Sequence, residues 1–464
     1  MNRGFSFLGW AALVLVHLYR LRDFPGLHYD EAWAYNFAAR IGPGFRPLSA
    51  MSPYTSPWTH YWAAFCLRCL GPGLVVFRGS QIALALGGLV ALCFALPKHI
   101  RVAFPWACLL LPGAVLNHRF AVELTGFHVL CFGVLCWSLR RERWWIATVF
   151  ALLGTTAHIM FYAVALGLLG TVCLEGLVLP RRARLGAMVY FAVMAAFFAR
   201  VLFLIPEKGK AAALVASAMG AFGLLAAKGE RLGWWIKLRT LVALTGFAFF
   251  WNCAFFAAGI WTLTLYLGFP DFWEKPFVGI LVLVVAVAAA SVAVAKAPLV
   301  LRRWLWLSLA FAGLMMLKPA PRYFELEILG LIASATYLVS DEVFYGRRWG
   351  NRVVCTVALI SSIAQLRLIA TGPPTSDTTQ HFLFYKDASR DFLDKQKLVR
   401  FLGGSGCRRD DIETHDPRLK EELDALSLGD WPVEAKTCPY VYVARATEDG
   451  AAGDPYDAFL LKRK

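Results

Sequence analysis

Phe5-Ser6-Phe7-Leu8-Gly9-Trp10-Ala11-Ala12-Leu13-Val14-Leu15-Val16-His17-Leu18-Tyr19 is an apolar run, and His28-Tyr29-Asp30-Glu31-Ala32-Trp33 follows it after a short basic stretch. Runs of this kind, about 17–25 residues each where complete, recur to about residue 370 and have the length of a bilayer crossing. The chain of 464 residues is 58% hydrophobic and 17% charged, which excludes an ordinary soluble globule. We expect an α-helical polytopic membrane protein with about thirteen transmembrane helices.

The formal net charge of +16 suggests nucleic-acid binding until the basic residues are located. They fall in alternate loops: Lys98 and Arg101, Arg140 to Arg143, Arg181 to Arg184, Lys228 to Arg239, Lys296 to Arg303, and Arg347 to Arg352. Cytoplasmic loops of membrane proteins carry this excess, so the N-terminus is expected inside and the turns near Asp30, Asn117, Tyr162, Pro206, Asp271 and Pro319 outside. No nucleic-acid partner is expected. The Met1-Asn2-Arg3 start and the run after it lack a small-residue cleavage site, and we expect them to be retained as the first span.

After Leu368 the composition changes. Residues 1–370 read as the transmembrane domain, and residues 373–464 as a small extracytoplasmic α/β domain of about 90 residues. Asp416-Pro417 is a helix start, Tyr440-Val441-Tyr442-Val443 alternates as a strand does, and Asp449-Gly450 marks a turn. Of the 11 cysteines only Cys407 and Cys438 lie in this tail, where an oxidising compartment would let them pair. Cys66 and Cys69 have no neighbouring metal ligands in the sequence and read as small thiols of the apolar region.

The first outward loop, from about Asp23 to Phe77, is the longest. Its aromatic residues, among them Trp33, Tyr35, Phe37, Trp58 and Trp62, argue for helices lying at the membrane surface, one of them spanning Glu31 to Arg40 with Asp30 at its start. Acids at a helix start also serve as caps, but a cap needs one acid. Two adjacent carboxylates at a bilayer boundary are costly to keep together, and such residues tend to be catalytic or ligand-binding. In the second outward turn Glu123 follows Arg119 at ion-pair spacing. His158 and Tyr162 share a helical face at the outer end of the fifth span. The late turn Lys318-Pro319-Ala320-Pro321-Arg322-Tyr323 sets a guanidinium beside an ammonium, a combination suited to a phosphate or diphosphate, although lone cations at span ends commonly snorkel.

These landmarks resemble the GT-C superfamily of membrane glycosyltransferases, in the branch of the aminoarabinose transferases and protein O-mannosyltransferases. The matching stretches are Asp30-Glu31-Ala32 with Tyr35, Leu70-Gly71-Pro72-Gly73 with Arg78, Arg119 to Glu123, and Pro321-Arg322-Tyr323. The resemblance implies transfer of a sugar from a polyprenyl-phosphate donor to a hydroxyl or amine of a glycan, lipid or protein, outside the plasma membrane and with inversion. It implies Asp30 as general base with Glu31 and Glu123 assisting. Substrate contacts would come from Arg322, Tyr323, Lys318, Arg119, His158, Tyr162 and His60. The family's His-Pro-Pro-Leu-like stretch is replaced here by Ser52-Pro53-Tyr54-Thr55-Ser56-Pro57-Trp58-Thr59-His60. Asp30, Glu31 and Glu123 offer hard oxygen donors of the kind a divalent cation takes, but no cofactor is part of the expectation. A flippase for lipid-linked glycans is the alternative. It would show internal repeats and helices broken at mid-membrane, and the sequence shows no clear repeat.

Overall fold

The computed structural model describes residues 3–22, 29–45, 56–96, 98, 101–109, 118–119, 125–157, 161 and 180–204. It also describes residues 363, 398–399, 402, 407, 409–414, 420, 423–425, 440–445 and 459–463. Up to residue 204 its regular structure is helical: α1 (Arg3–Leu18), α2 (Tyr29–Arg40), α3 (Trp58–Leu70), α4 (Leu74–Ala95), α5 (Phe104–Leu109), α6 (Thr125–Arg140), α7 (Trp144–Ala157) and α8 (Arg181–Leu204). Among the described residues α4 is the one helix long and apolar enough to cross a membrane. Ser6–Leu18, Gly126–Arg140 and Trp144–Ala157 are shorter apolar helices. The spans expected beyond residue 204 lie outside the described residues.

The helices pack in a chain of neighbours, with α2 and α3 against each other, α3 on α4, α4 on α6, α6 on α7 and α7 on α8, while α1 packs on α5. The broadest of these contacts, α4 on α6, depends on missing side chains. A methyl group on Gly88 would meet the Val129 backbone, one on Gly133 the Gly88 carbonyl, and one on Gly126 the Gln81 carbonyl. Small residues let helix backbones approach this closely where lipid-like surroundings supply little hydrophobic drive. On the next contact Thr155 and Tyr190 share a hydrogen bond of 3.0 Å between α7 and α8. Gly71, at φ 93°, ends α3 and turns the chain into α4, a conformation that costs a glycine little.

Arginines from elsewhere in the chain finish several helices. Arg119 donates to Val16, His17 and Tyr19 at the end of α1, and Arg68 to Ile41 just past α2. Arg101 and Arg140 donate to Phe94, Leu96 and Ala95 at the end of α4. The last carbonyls of a helix have no partner within it and carry the negative end of the dipole, so a guanidinium answers both needs.

The C-terminal region contributes to the same core. Leu398, Val399, Leu402, Cys407, Ile412, Leu423 and Ala425 are buried in one apolar cluster with Ala32, Tyr35 and Ala38 of α2, Ala63 and Leu67 of α3, and Leu74 and Phe77 of α4. Cys407 is disulfide-bonded to a partner outside the described residues, and Cys438 lies outside them too. Cys66 and Cys69 are free thiols. The expected strand is part of β1 (Tyr440–Arg445), which pairs antiparallel with β2 (Phe459–Arg463), Val443 facing Leu461. The helix start at Asp416-Pro417 lies outside the described residues.

Because the contact of α4 with α6 has no room for side chains at its centre, Gly88→Leu or Gly133→Val is expected to cost at least about 1–3 kcal/mol. Thermal unfolding in detergent checks this: a lower midpoint or loss of folded protein is expected for either variant. Gly4→Ala, with open space around it, should unfold as the wild type does.

Candidate functional site

Asp30 is the second residue of α2, and its side chain lies outside the described residues. Glu31 is fully buried. Its two carboxylate oxygens accept from Nε and Nη2 of Arg78, each at 2.7 Å, in the two-pronged geometry that makes arginine–carboxylate pairs strong. The third reach of Arg78, through Nη1, ends on the carbonyl of Leu21 at 2.9 Å. One guanidinium of α4 therefore ties the first turn of α2 to the exit of α1.

That exit is held from a second side. Arg20 sits in the left-handed region at φ 49°, a conformation most residues avoid, so its neighbours must enforce it. Arg119 supplies this with bonds of 2.6 Å to Val16, 3.0 Å to His17 and 2.7 Å to Tyr19. Burial, with Arg78 and Arg20 close by, lowers the Arg119 guanidinium to about 9, so it stays charged at neutral pH. Next to it, His118 stacks on His17 with ring centres 5.3 Å apart. The Leu13 carbonyl, 2.7 Å from His17 Nδ1, can only accept, so Nδ1 carries the proton. In a neutral ring His17 Nε2 then accepts from His118 Nδ1 at 3.0 Å.

A third group lies between α2 and α3. His60 is 3% exposed, with Phe37 at 4.8 Å and Trp33 at 5.9 Å between ring centres, both edge-on. Its Nδ1 has no hydrogen-bond partner among the described residues, whereas the adjacent Thr59 donates to Gln81 at 2.8 Å and Trp62 to the Ser80 carbonyl at 3.0 Å. Trp58 of α3 donates to Thr156 of α7 at 3.1 Å. Burial pushes the His60 imidazole down from 6.5 to about 4, so the ring is neutral at physiological pH.

Of the residues singled out by sequence, the structure thus gathers Glu31 and Arg119 about the α1 exit and sets His60 across from α2. Glu123, His158, Tyr162, Lys318, Arg322 and Tyr323 lie outside the described residues. Two residues gained importance that sequence alone did not give them. Arg78 appeared only as part of a motif, although a lone arginine four residues into an apolar span does call for a buried acid. His118 carried no signal beyond its neighbour Arg119. Among the described residues no three histidine, cysteine, aspartate or glutamate side chains converge as metal ligands. Compared with protein-family models, curated proteins and solved structures, the chain matches none.

Two outcomes follow from this geometry. Removing one member of the buried pair strands the other's charge or hydrogen-bonding groups, so Glu31→Gln and Arg78→Met should each cost about 3–5 kcal/mol. Replacing both with apolar residues should cost clearly less than the sum, as a double-mutant cycle of unfolding in detergent would show. For His60 the folded-state pKa lies below the unfolded one, so the unfolded chain takes up the proton first. Its contribution is complete above about 6.5 and is lost as pH falls toward about 4. The loss is on the order of 3 kcal/mol. His60→Phe should show a shallower fall of melting temperature than the wild type across that interval.

Proposed function

We propose that the chain is a membrane glycosyltransferase of the GT-C kind, with about thirteen spans and a small extracytoplasmic C-terminal α/β domain. It takes a sugar from a polyprenyl-phosphate donor and passes it to an acceptor hydroxyl or amine on the outer face of the plasma membrane. The single observation that carries the reading is the buried ion pair at the position next to Asp30. Glu31 is buried and neutralised by Arg78, which fixes the first turn of α2. Position 30 lies about 100° round the helix from it, on the face that carries Trp33 and Phe37. A carboxylate held on a fixed turn, beside a partner whose charge is already answered, suits a base that must act alone.

The chemistry asks for little more. The acceptor oxygen or nitrogen attacks the anomeric carbon while Asp30 takes its proton, and the bond from that carbon to the phosphate oxygen breaks with inversion. Polyprenyl phosphate leaves with the electron pair, its charge met by Arg322 and Lys318. The donor arrives already activated, so no nucleotide-binding loop is needed. Glu31 then serves to position the turn, and Arg119 to hold the chain leading into it.

Transfer of radiolabelled sugar from polyprenyl-phosphate donors in membranes tests this. Asp30→Asn is expected to lower the rate by at least about a hundredfold, within the range of a lost general base. Undiminished transfer by that variant would remove Asp30 from the role. Loss of glycan export with transfer intact would instead favour a flippase.

A further inference from the structure

The loose end of the α2–α3 contact is the His60 Nδ1, which no group among the described residues satisfies. A buried polar atom left unpaired costs about 1–3 kcal/mol, and the neighbouring Thr59, Gln81 and Trp62 all have partners. Of the two rings described around His60, Phe37 has no hydrogen-bonding group, and the Trp33 indole N–H, although a donor, is not bonded to this nitrogen. Phe37 is buried, but Trp33 is 36% exposed, so among the three rings Trp33 is the one that reaches the surroundings. Trp33 and Phe37 lie one and two turns along α2 from position 30, on the same face of the helix.

An exposed indole beside a hidden hydrogen-bonding nitrogen suits one class of ligand well. A pyranose ring has an apolar face of C–H groups that packs on an aromatic ring, and hydroxyls that both donate and accept, so either tautomer of a neutral imidazole can pair with one. A polyprenyl chain would fill the aromatic surface and leave the nitrogen unpaired. We propose that Trp33, Phe37 and His60 form a carbohydrate subsite. The pyranose ring of a substrate lies against Trp33, displaces its edge from His60 and hydrogen-bonds to the imidazole, about two helical turns or less from Asp30. This names the sugar contact within the transferase reading and rests on that reading for its catalytic meaning. Its binding prediction does not.

Saturation-transfer NMR on the full-length protein in a detergent without a sugar headgroup, such as lauryldimethylamine oxide, tests the subsite directly. The probes are the methyl pyranosides of glucose, mannose and arabinose. The wild type should saturate the ring protons of at least one of them. Trp33→Ala and His60→Asn should weaken that binding about tenfold, the combined worth of one aromatic contact and one hydrogen bond. Trp33→Phe should retain part of it, and keeps the test open should the alanine variant fail to fold. Gly4→Ala, remote from the site and with open space around it, should bind as the wild type does. In transfer assays the same substitutions should raise KM for the sugar donor more than they lower kcat. No pyranoside signal on the wild type, or an unchanged one on folded Trp33→Ala and His60→Asn, overturns the subsite. If binding falls in these variants but the wild type transfers no sugar, the subsite stands and the transferase reading falls. Transfer lost in Asp30→Asn with unaltered KM in Trp33→Ala does the reverse.

Discussion

One arginine fork closed on one carboxylate, away from water, fixes the relation between the first helix and the second. Arg78 of α4 could not be buried without an acid, nor Glu31 without a base, and each is the other's answer. Because the third nitrogen of the same guanidinium holds Leu21, the pair does more than cancel charge. It sets where α2 begins. Arg119 acts on the same exit from the other side, and the left-handed Arg20 between them marks how firmly the chain is bent there.

The arginines explain a good part of this architecture. Read along the sequence they are loop charges, expected on one side of a membrane. In the folded chain several of them close helices that run out of partners: Arg68 after α2, Arg101 and Arg140 after α4, Arg119 after α1. A guanidinium reaching several carbonyls can finish a helix whose own next residues cannot. The glycines of α4 and α6 solve a different problem, letting two backbones meet where side chains would hold them apart.

Much of this was legible. The apolar runs between the basic turns correspond to α4, α6 and α7, of which only α4 has the length to cross a membrane among the described residues, and the helix expected from Glu31 to Arg40 with Asp30 at its start is α2. The alternation at Tyr440 to Val443 is part of β1. What the sequence concealed were the partners. Nothing beside Glu31 in the sequence points to Arg78, forty-seven residues on, as the cation that takes its carboxylate. The spacing of Arg119 and Glu123 is visible in the sequence, whereas the reach of Arg119 to residues 16–19 is not. His60 was marked by its place in a loop motif. Its isolation among Trp33 and Phe37 depends on how α2 crosses α3, which no pattern along the chain encodes.

The apolar cluster beneath α2 joins residues from the two ends of the polypeptide, Ala32 to Phe77 from one and Leu398 to Ala425 from the other. During synthesis the first of these segments emerges hundreds of residues before the second, so the inner face of α2 must wait for most of the chain to be made. The helix that begins at Asp30 is thus among the earliest parts translated and among the last to be fully packed. Contacts of such long sequence separation form late and slowly. Maturation of this region is therefore timed by arrival of the C-terminal segment, and an incomplete chain would leave the Asp30 helix with one face uncovered.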